Sequence, residues 1–366
     1  MEQIITLLFL SIFPFGQIIR VGIFQPIDLI VFCGAFWAIL KKYKKPTWFK
    51  CFDRLLFFAL ISWIFSLFYF RDIGVFYGLL YLVRLFSYLY FTLFIFNFSK
   101  FKKNINLLTN SLISISLISS LFGWIQFFKF PDVKPFFVFG WDEHLYRLVG
   151  TFLDPTFLGL IIVFGALISI YKKKYLAFIF LAFSLMFTYS RASYLSLFIG
   201  IFYLAIIQKN IRKYLLFIPI FLFVVLLIPT TKNHSINFFR SFSAIAKVGN
   251  YQRTIEVFNL SPVFGIGYNN LCFVKNKFFE VESYQSHACS GSDSSLLFIL
   301  STTGVIGLII LLEFLINLWK CSDLLFRSIL ISTLVHSLFS NSLFYSWVLS
   351  YLLIMFVVGL RREVNS

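Results

Sequence analysis

The chain has 366 residues, with 32 Lys and Arg against 15 Asp and Glu, a formal charge of +17, and a composition that is 60% hydrophobic and 21% aromatic. A mean hydropathy of +0.88 excludes a single soluble core, so the apolar material belongs in lipid as repeated spans of about 20 residues. Runs this long imply helices, because backbone polar groups in hydrocarbon need internal partners, and the alternating ten-residue segments of a β-barrel are absent.

The expected fold class is an all-α membrane protein of about twelve transmembrane helices, a single polytopic domain over 1–366. The positive charge falls in short clusters between apolar runs, at Lys41–Lys45, Lys100–Lys103, Lys172–Lys174, Lys209–Lys213 and Arg361–Arg362. Such clusters hold loops on the cytoplasmic side rather than binding nucleic acid, and they put both termini inside.

In chain order, the first two spans are Ile4–Ile19 and Pro26–Leu40, with an outer turn at Arg20–Gln25. The N-terminus lacks a charged n-region and a cleavage site, so it reads as a span and not a removed signal. Leu55–Phe70 and Gly74–Phe98 follow, meeting outside at Arg71–Asp72. Ile105–Phe128 rises to a shorter outer loop, 129–149, and Thr151–Tyr171 descends again. Tyr175–Tyr189 and Ala192–Ile207 form an outer hairpin around Ser190-Arg191, and Tyr214–Ile228 leads outward. The main outer segment, 229–295, is the one long polar interval, and Ser294–Leu318, Leu324–Asn341 and Leu343–Leu360 complete the bundle.

This order gathers the chemistry outside. His144, His234 and His287 fall in outer loops, and His336 lies in the outer half of its span. Arg191 interrupts an apolar run, where a guanidinium either snorkels to the interface or binds phosphate through its planar fork. Arg253 sits in an amphipathic stretch, Asn250–Phe258, where an i,i+3 pair with Glu256 is the plainer expectation. Arg84 lies mid-span, and an intramembrane charge usually faces the bundle interior. Asp142-Glu143-His144 are adjacent residues and cannot all point at one ion on a regular element, so no metal is expected. Cys272 and Cys289 share the outer segment, where a disulfide and two free thiols are both open readings.

Four segments carry a resemblance. They are Arg147-Leu-Val-Gly-Thr-Phe-Leu-Asp-Pro155, Tyr189-Ser-Arg-Ala192, Arg253 followed by Pro262-Val-Phe-Gly-Ile-Gly267, and Ser292-Asp-Ser-Ser-Leu-Leu followed by Gly304-Val-Ile-Gly307. In this order they resemble the bacterial O-antigen ligase and O-antigen polymerase family, over about Arg147 to Leu312. One departure stands out: many members open the last segment with His-Asn, where this chain has Asp293-Ser294, and His287 lies six residues earlier.

The resemblance implies a multi-pass enzyme of the bacterial inner membrane, with its active site facing outside. It would transfer glycan from an undecaprenyl-diphosphate carrier without a cofactor or metal. Arg147, Arg191 and Arg253 would hold the diphosphate. Asp293 or His287 would take the proton from the acceptor hydroxyl, with Arg84, Glu256 and His336 in support. His287 has the better pKa for a base and Asp293 the better position, while Asp-Ser-Ser opening a helix is equally a good N-cap.

Polymerisation of lipid-linked repeat units is the favoured activity, the compact outer segment leaning that way, with ligation of finished polymer as the alternative. A lipid or sugar transporter is a third reading, which would favour mid-membrane charges at broken helices. Expected partners are the lipid-linked donor and acceptor, membrane lipid, and chain-length regulator and flippase proteins.

Overall fold

The structure is a computed structural model and describes residues 1–19, 24–69, 74–139, 144–227, 242–279 and 291–361. The helices are α1 Glu2–Ile12, α2 Pro26–Leu40, α3 Lys50–Tyr69, α4 Gly74–Phe98, α5 Lys102–Lys129, α6 Pro155–Tyr171, α7 Tyr175–Met186, α8 Arg191–Ile207, α9 Phe217–Leu227, α10 Phe242–Leu260, α11 Leu271–Phe279, α12 Ser295–Cys321, α13 Leu324–His336 and α14 Ser346–Val358. There are no strands among the described residues beyond two isolated bridges.

Among the described residues, five helices are long and apolar enough to cross a bilayer: α3, α4, α5, α12, and α9 taken with the 3-10 turn before it. The other sequence-read spans coincide with shorter apolar helices, α1, α2, α6, α7, α8, α13 and α14. The outward faces suit hydrocarbon and not water: Leu176 is 86% exposed and Phe128 73%. The protein is an all-helical membrane protein.

Helix starts follow local chemistry. Pro26 and Pro155 stand at N1, where the missing N–H costs nothing, and Asp154 caps α6 by accepting from Thr156 N at 2.6 Å. Asp323 caps α13 through Phe326 N at 2.8 Å. The first span is shorter than expected, because Pro14 and Gly16 (φ +56°) turn the chain after α1.

The centre is α6 and α14, both buried almost all round, as their uniformly apolar sequences require. Lipid supplies no hydrophobic force between helices, so close approach at small residues and serine hydrogen bonds does the packing. Ser116 Oγ of α5 reaches Ile161 O of α6 at 2.8 Å, and a Cβ on Gly165 would lie 2.3 Å from the Ser116 Cβ. Between α8 and α13, Ser328 Oγ donates to Gly200 O at 3.0 Å and Ser332 Oγ to Ser196 O at 2.8 Å.

The critical departure from regularity is in α12, which breaks at Gly304 (φ 69°, ψ −172°). The break frees carbonyls that the loop 262–267 takes up. Ile266 N donates to Ser301 O at 3.1 Å and Gly267 N to Thr302 O at 3.0 Å, while Val305 N donates to Pro262 O at 2.9 Å. Ser62 Oγ of α3 lies 2.8 Å from both Phe264 O and Thr302 O. The Pro-x-x-Gly-x-Gly motif is therefore a backbone seam laid against a broken helix.

A Cβ on Gly304 would stand 2.1 Å from Val263 O, in a backbone region that L residues rarely adopt. Gly304→Ala is expected to lower stability by about 3 kcal/mol through strain and overpacking. Gly249→Ala, in α10 with open space at its Cβ, should be neutral or stabilising. Thermal unfolding of the two variants in the same detergent checks this; equal melting temperatures would show that the seam does not need the glycine.

Candidate active site

The site is built on three irregular pieces: the turn before α6, the α7–α8 hairpin, and the segment opening α12. Arg147 is buried in the first and reaches the second. Its Nε donates to Thr188 O at 2.8 Å, and a terminal guanidinium nitrogen lies 3.3 Å from His144 Nδ1. Leu148 N donates to Phe187 O at 2.9 Å alongside. Gln126 Oε1 of α5 accepts from Val149 N at 2.9 Å and Gly150 N at 3.3 Å, and Thr151 Oγ1 donates to Pro14 O at 2.7 Å. The Arg-x-x-Gly-Thr-Phe motif thus ties four parts of the chain together, with Arg147 bracing the hairpin that carries Arg191.

Arg191 is the first residue of α8, half-buried, one position after the cap Ser190. Ser190 Oγ and Ser193 Oγ lie 2.8 Å apart. Ser193 Oγ is also 3.2 Å from His336 Nε2, whose Nδ1 meets Ser342 Oγ at 2.6 Å. His336 is fully buried. A neutral imidazole has one donor and one acceptor nitrogen, so it bridges the two hydroxyls and pins the hairpin to the loop 337–345. The same loop is anchored to α6 by Tyr345 stacked on Phe157, with centroids 3.8 Å apart.

The loop 337–345 in turn holds the start of α12. Ser295 N donates to Ser337 O at 2.9 Å, and Leu343 N donates to Ser295 Oγ at 3.0 Å. The N-cap of α12 is Ser294, whose side chain accepts from Leu297 N. This corrects the capping reading of Asp293, which stands one residue outside the helix with φ 51°. Freed from capping, its carboxylate accepts from Asn250 Nδ2 at 2.7 Å and lies 3.6 Å from Lys247 Nζ.

Both partners belong to α10. Asn250, Thr254 and Val257 form a buried stripe, while the opposite side exposes Ile245, Val248 and Ile255 interleaved with Gln252, Glu256 and Asn259. Tyr251 OH donates to Leu338 O at 2.7 Å and lies 3.3 Å from Asp293 O. Burial, and then the Asp293 charge, push its phenol above the ordinary value, so it remains a donor at neutral pH. Arg253 is half-buried, and Glu256 is exposed.

Arg84 does not join this group. It forms an ion pair with Asp28 of α2 at 2.6 Å, Tyr88 OH donates to Asp28 at 3.0 Å, and the guanidinium lies over the Tyr81 ring. The intramembrane arginine is therefore neutralised within the bundle. His287, His234, Arg240, Glu280, Glu282, Asp142, Glu143 and Cys289 lie outside the described residues. Cys272 is disulfide-bonded, whereas Cys33, Cys51 and Cys321 are free.

Sequence reading missed Lys247, Asn250, Tyr251, Lys275, Ser193 and Ser342. Lys275 carried one signal: it shares the buried side of α11 with Leu271 and Val274. A cation on an apolar stripe needs a polar partner.

These features define a helical membrane protein in which Arg147, the Arg191 turn, His336 and the Asp293 segment are tied together by hydrogen bonds across irregular backbone. Residues 176–312 match the family described as O-antigen ligase, and this match supports the O-antigen ligase and polymerase family for that part of the chain. No curated protein matches the chain. The matched stretch includes Arg191, Arg253 and Asp293, while Arg147, Arg84 and His336 fall outside it.

The contrast between Ser294 and Asp293 is testable. Ser294→Ala is expected to cost about 1 kcal/mol of stability and to leave turnover largely intact, as the loss of a cap should. Asp293→Asn should leave the melting temperature near wild type, since its ion pair is one-third exposed, and reduce turnover by orders of magnitude. Thermal unfolding together with glycan-transfer assays separates them; full turnover in Asp293→Asn would remove the carboxylate from the chemistry.

Proposed function

We propose that the protein polymerises undecaprenyl-diphosphate-linked oligosaccharide repeat units into a surface polysaccharide such as O-antigen, capsule or exopolysaccharide. The reading rests on the family match together with the hydrogen-bonded assembly that joins the Arg191 turn, His336 and Asp293. In the reaction, an acceptor sugar hydroxyl oxygen forms a bond to the anomeric carbon of the donor. The bond from that carbon to the diphosphate breaks, its electron pair leaves with the lipid diphosphate, and the hydroxyl proton passes to the base.

Arg191 and Arg253 stabilise the charge developing on the leaving diphosphate, where preorganised cations in a water-poor site act most strongly. Arg147 serves the same group by holding the Arg191 turn. Asp293 takes the hydroxyl proton or orients it, and His287 is the alternative base. Guanidinium groups alone can neutralise the diphosphate, so the proposed chemistry uses no metal. The exposed Ile245, Val248 and Ile255 of α10 and the aromatic surface suit contact with lipid and a polyprenyl tail.

Ligation of finished polymer is the second reading, in keeping with the description of the matched family. Cells lacking the protein discriminate the two. Accumulation of single lipid-linked repeats supports polymerisation, whereas full-length polymer left on the carrier would replace it with ligation.

The proposed orientation has about twelve spans, both termini in the cytoplasm and residues 129–149 and 229–295 outside. The protein then lies in the bacterial inner membrane with its chemistry facing outward, alongside chain-length regulator and flippase proteins. Two exposed lysines test it, Lys134 outside and Lys173 inside. In a background lacking the free cysteines, Lys134→Cys should react with an impermeant thiol reagent on intact spheroplasts and Lys173→Cys should not. The reverse pattern would move the site to the cytoplasmic face.

A further inference from the structure

Behind Asp293 lies a buried cation that the proposed chemistry does not use. Lys275 of α11 is 4% exposed. Its Nζ donates to Asn250 Oδ1 at 2.8 Å and to Gly291 O at 3.1 Å. An ammonium has donors only, so the Asn250 oxygen must face Lys275. The Asn250 amide nitrogen is then obliged to face Asp293 Oδ2, 2.7 Å away.

Asp293 needs such support. Its φ of 51° is a left-handed conformation that a non-glycine residue keeps where its surroundings hold it. The carboxylate sits just before the α12 cap, and Asn250 gives it a hydrogen bond shorter than its 3.6 Å contact with Lys247. Asn250 fixes the carboxylate, Lys275 fixes Asn250 and the Gly291 carbonyl, and Tyr251 meets the Asp293 carbonyl. Three polar groups thus set both the backbone and the rotamer of one residue.

We infer that Lys275 and Asn250 form a positioning relay that orients the Asp293 carboxylate toward the acceptor hydroxyl. This rests on the reading of Asp293 as the carboxylate of the transfer reaction. Lys275 does not touch substrate; it acts through the amide. Among the described residues, the charged or titratable groups facing Asp293 are Lys247 and Tyr251 from α10, with Lys275 behind Asn250 from α11.

The sharpest probe is Asn250→Asp. It keeps the shape and the acceptor for Lys275, but replaces the donor to Asp293 by a second carboxylate. Two carboxylates at this separation cannot both ionise easily, so one proton is held more tightly, and a protonated carboxyl restores the missing donor. Turnover should therefore fall at neutral pH and recover as pH is lowered, a profile the wild type lacks. Misplacing a reacting group by about 1 Å can cost on the order of 100-fold, so a loss of at least tenfold in kcat is expected. Asn250→Ser, which removes both ends of the amide without adding charge, should lose kcat with no acid recovery. Lys275→Arg, which retains buried donors, should keep more activity than Lys275→Met.

The assay is extension of lipid-linked repeat units extracted from cells lacking the protein, by purified full-length variants of confirmed melting temperature. Acid recovery in Asn250→Asp, and no further loss when Asn250→Ser is added to Asp293→Asn, support the relay. Wild-type kcat and pH profile in folded Asn250→Asp or Asn250→Ser, with Asp293→Asn inactive, overturn the relay alone. Full activity in Asp293→Asn overturns the reading beneath it.

Discussion

A helix broken inside a bilayer exposes carbonyls and amides that no water can satisfy, and the structure depends on how this chain meets that constraint. At Gly304, α12 gives up its regular ladder, and the loop 262–267 supplies the replacement bonds. The exchange requires backbone against backbone, which is why Gly265 and Gly304 both stand where a Cβ would overlap main-chain atoms. The N-terminal part of α12 is thereby held by the loop 262–267, and Asp293 sits just before its cap.

The same logic extends around the site through hydroxyls. His336 joins Ser193 of the hairpin to Ser342 of the last loop, and Ser295 joins that loop to α12. Arg147 closes the ring on the far side through Thr188. Arg191 and Asp293, distant in sequence, are thus held by one continuous set of short bonds on rigid helices. Buried polar networks of this kind are costly when incomplete and specify a single geometry when satisfied.

The fold was largely readable because the signal in lipid is composition. Pro26–Leu40 and Gly74–Phe98 have the limits that the apolar runs suggested, with proline and a capping box marking the start of the former. The first span was overdrawn since hydrophobicity continues through Pro14 and Gly16, where the backbone turns. The site was less readable. The glycines of Pro262–Gly267 were visible as a motif, but their partner, the break in α12, is a tertiary fact. Asp293 looked like a cap because Asp, Ser and Ser all cap well; only the φ of 51° and the bond to Asn250 separate its role from that of Ser294. Arg84 looked available until Asp28, 56 residues away, was seen to neutralise it.

On the proposed reading, guanidinium groups on the α8 turn and α10 clamp the diphosphate of a lipid-linked donor. Its most direct test is in vitro extension of lipid-linked repeats by purified Arg191→Lys and Arg253→Lys, compared with the alanine variants at matched protein level. An ammonium keeps the charge but cannot reproduce the planar bidentate fork, so the lysine variants should fail nearly as badly as alanine. Full turnover by both lysine variants would mean that these arginines serve only the membrane interface or the fold.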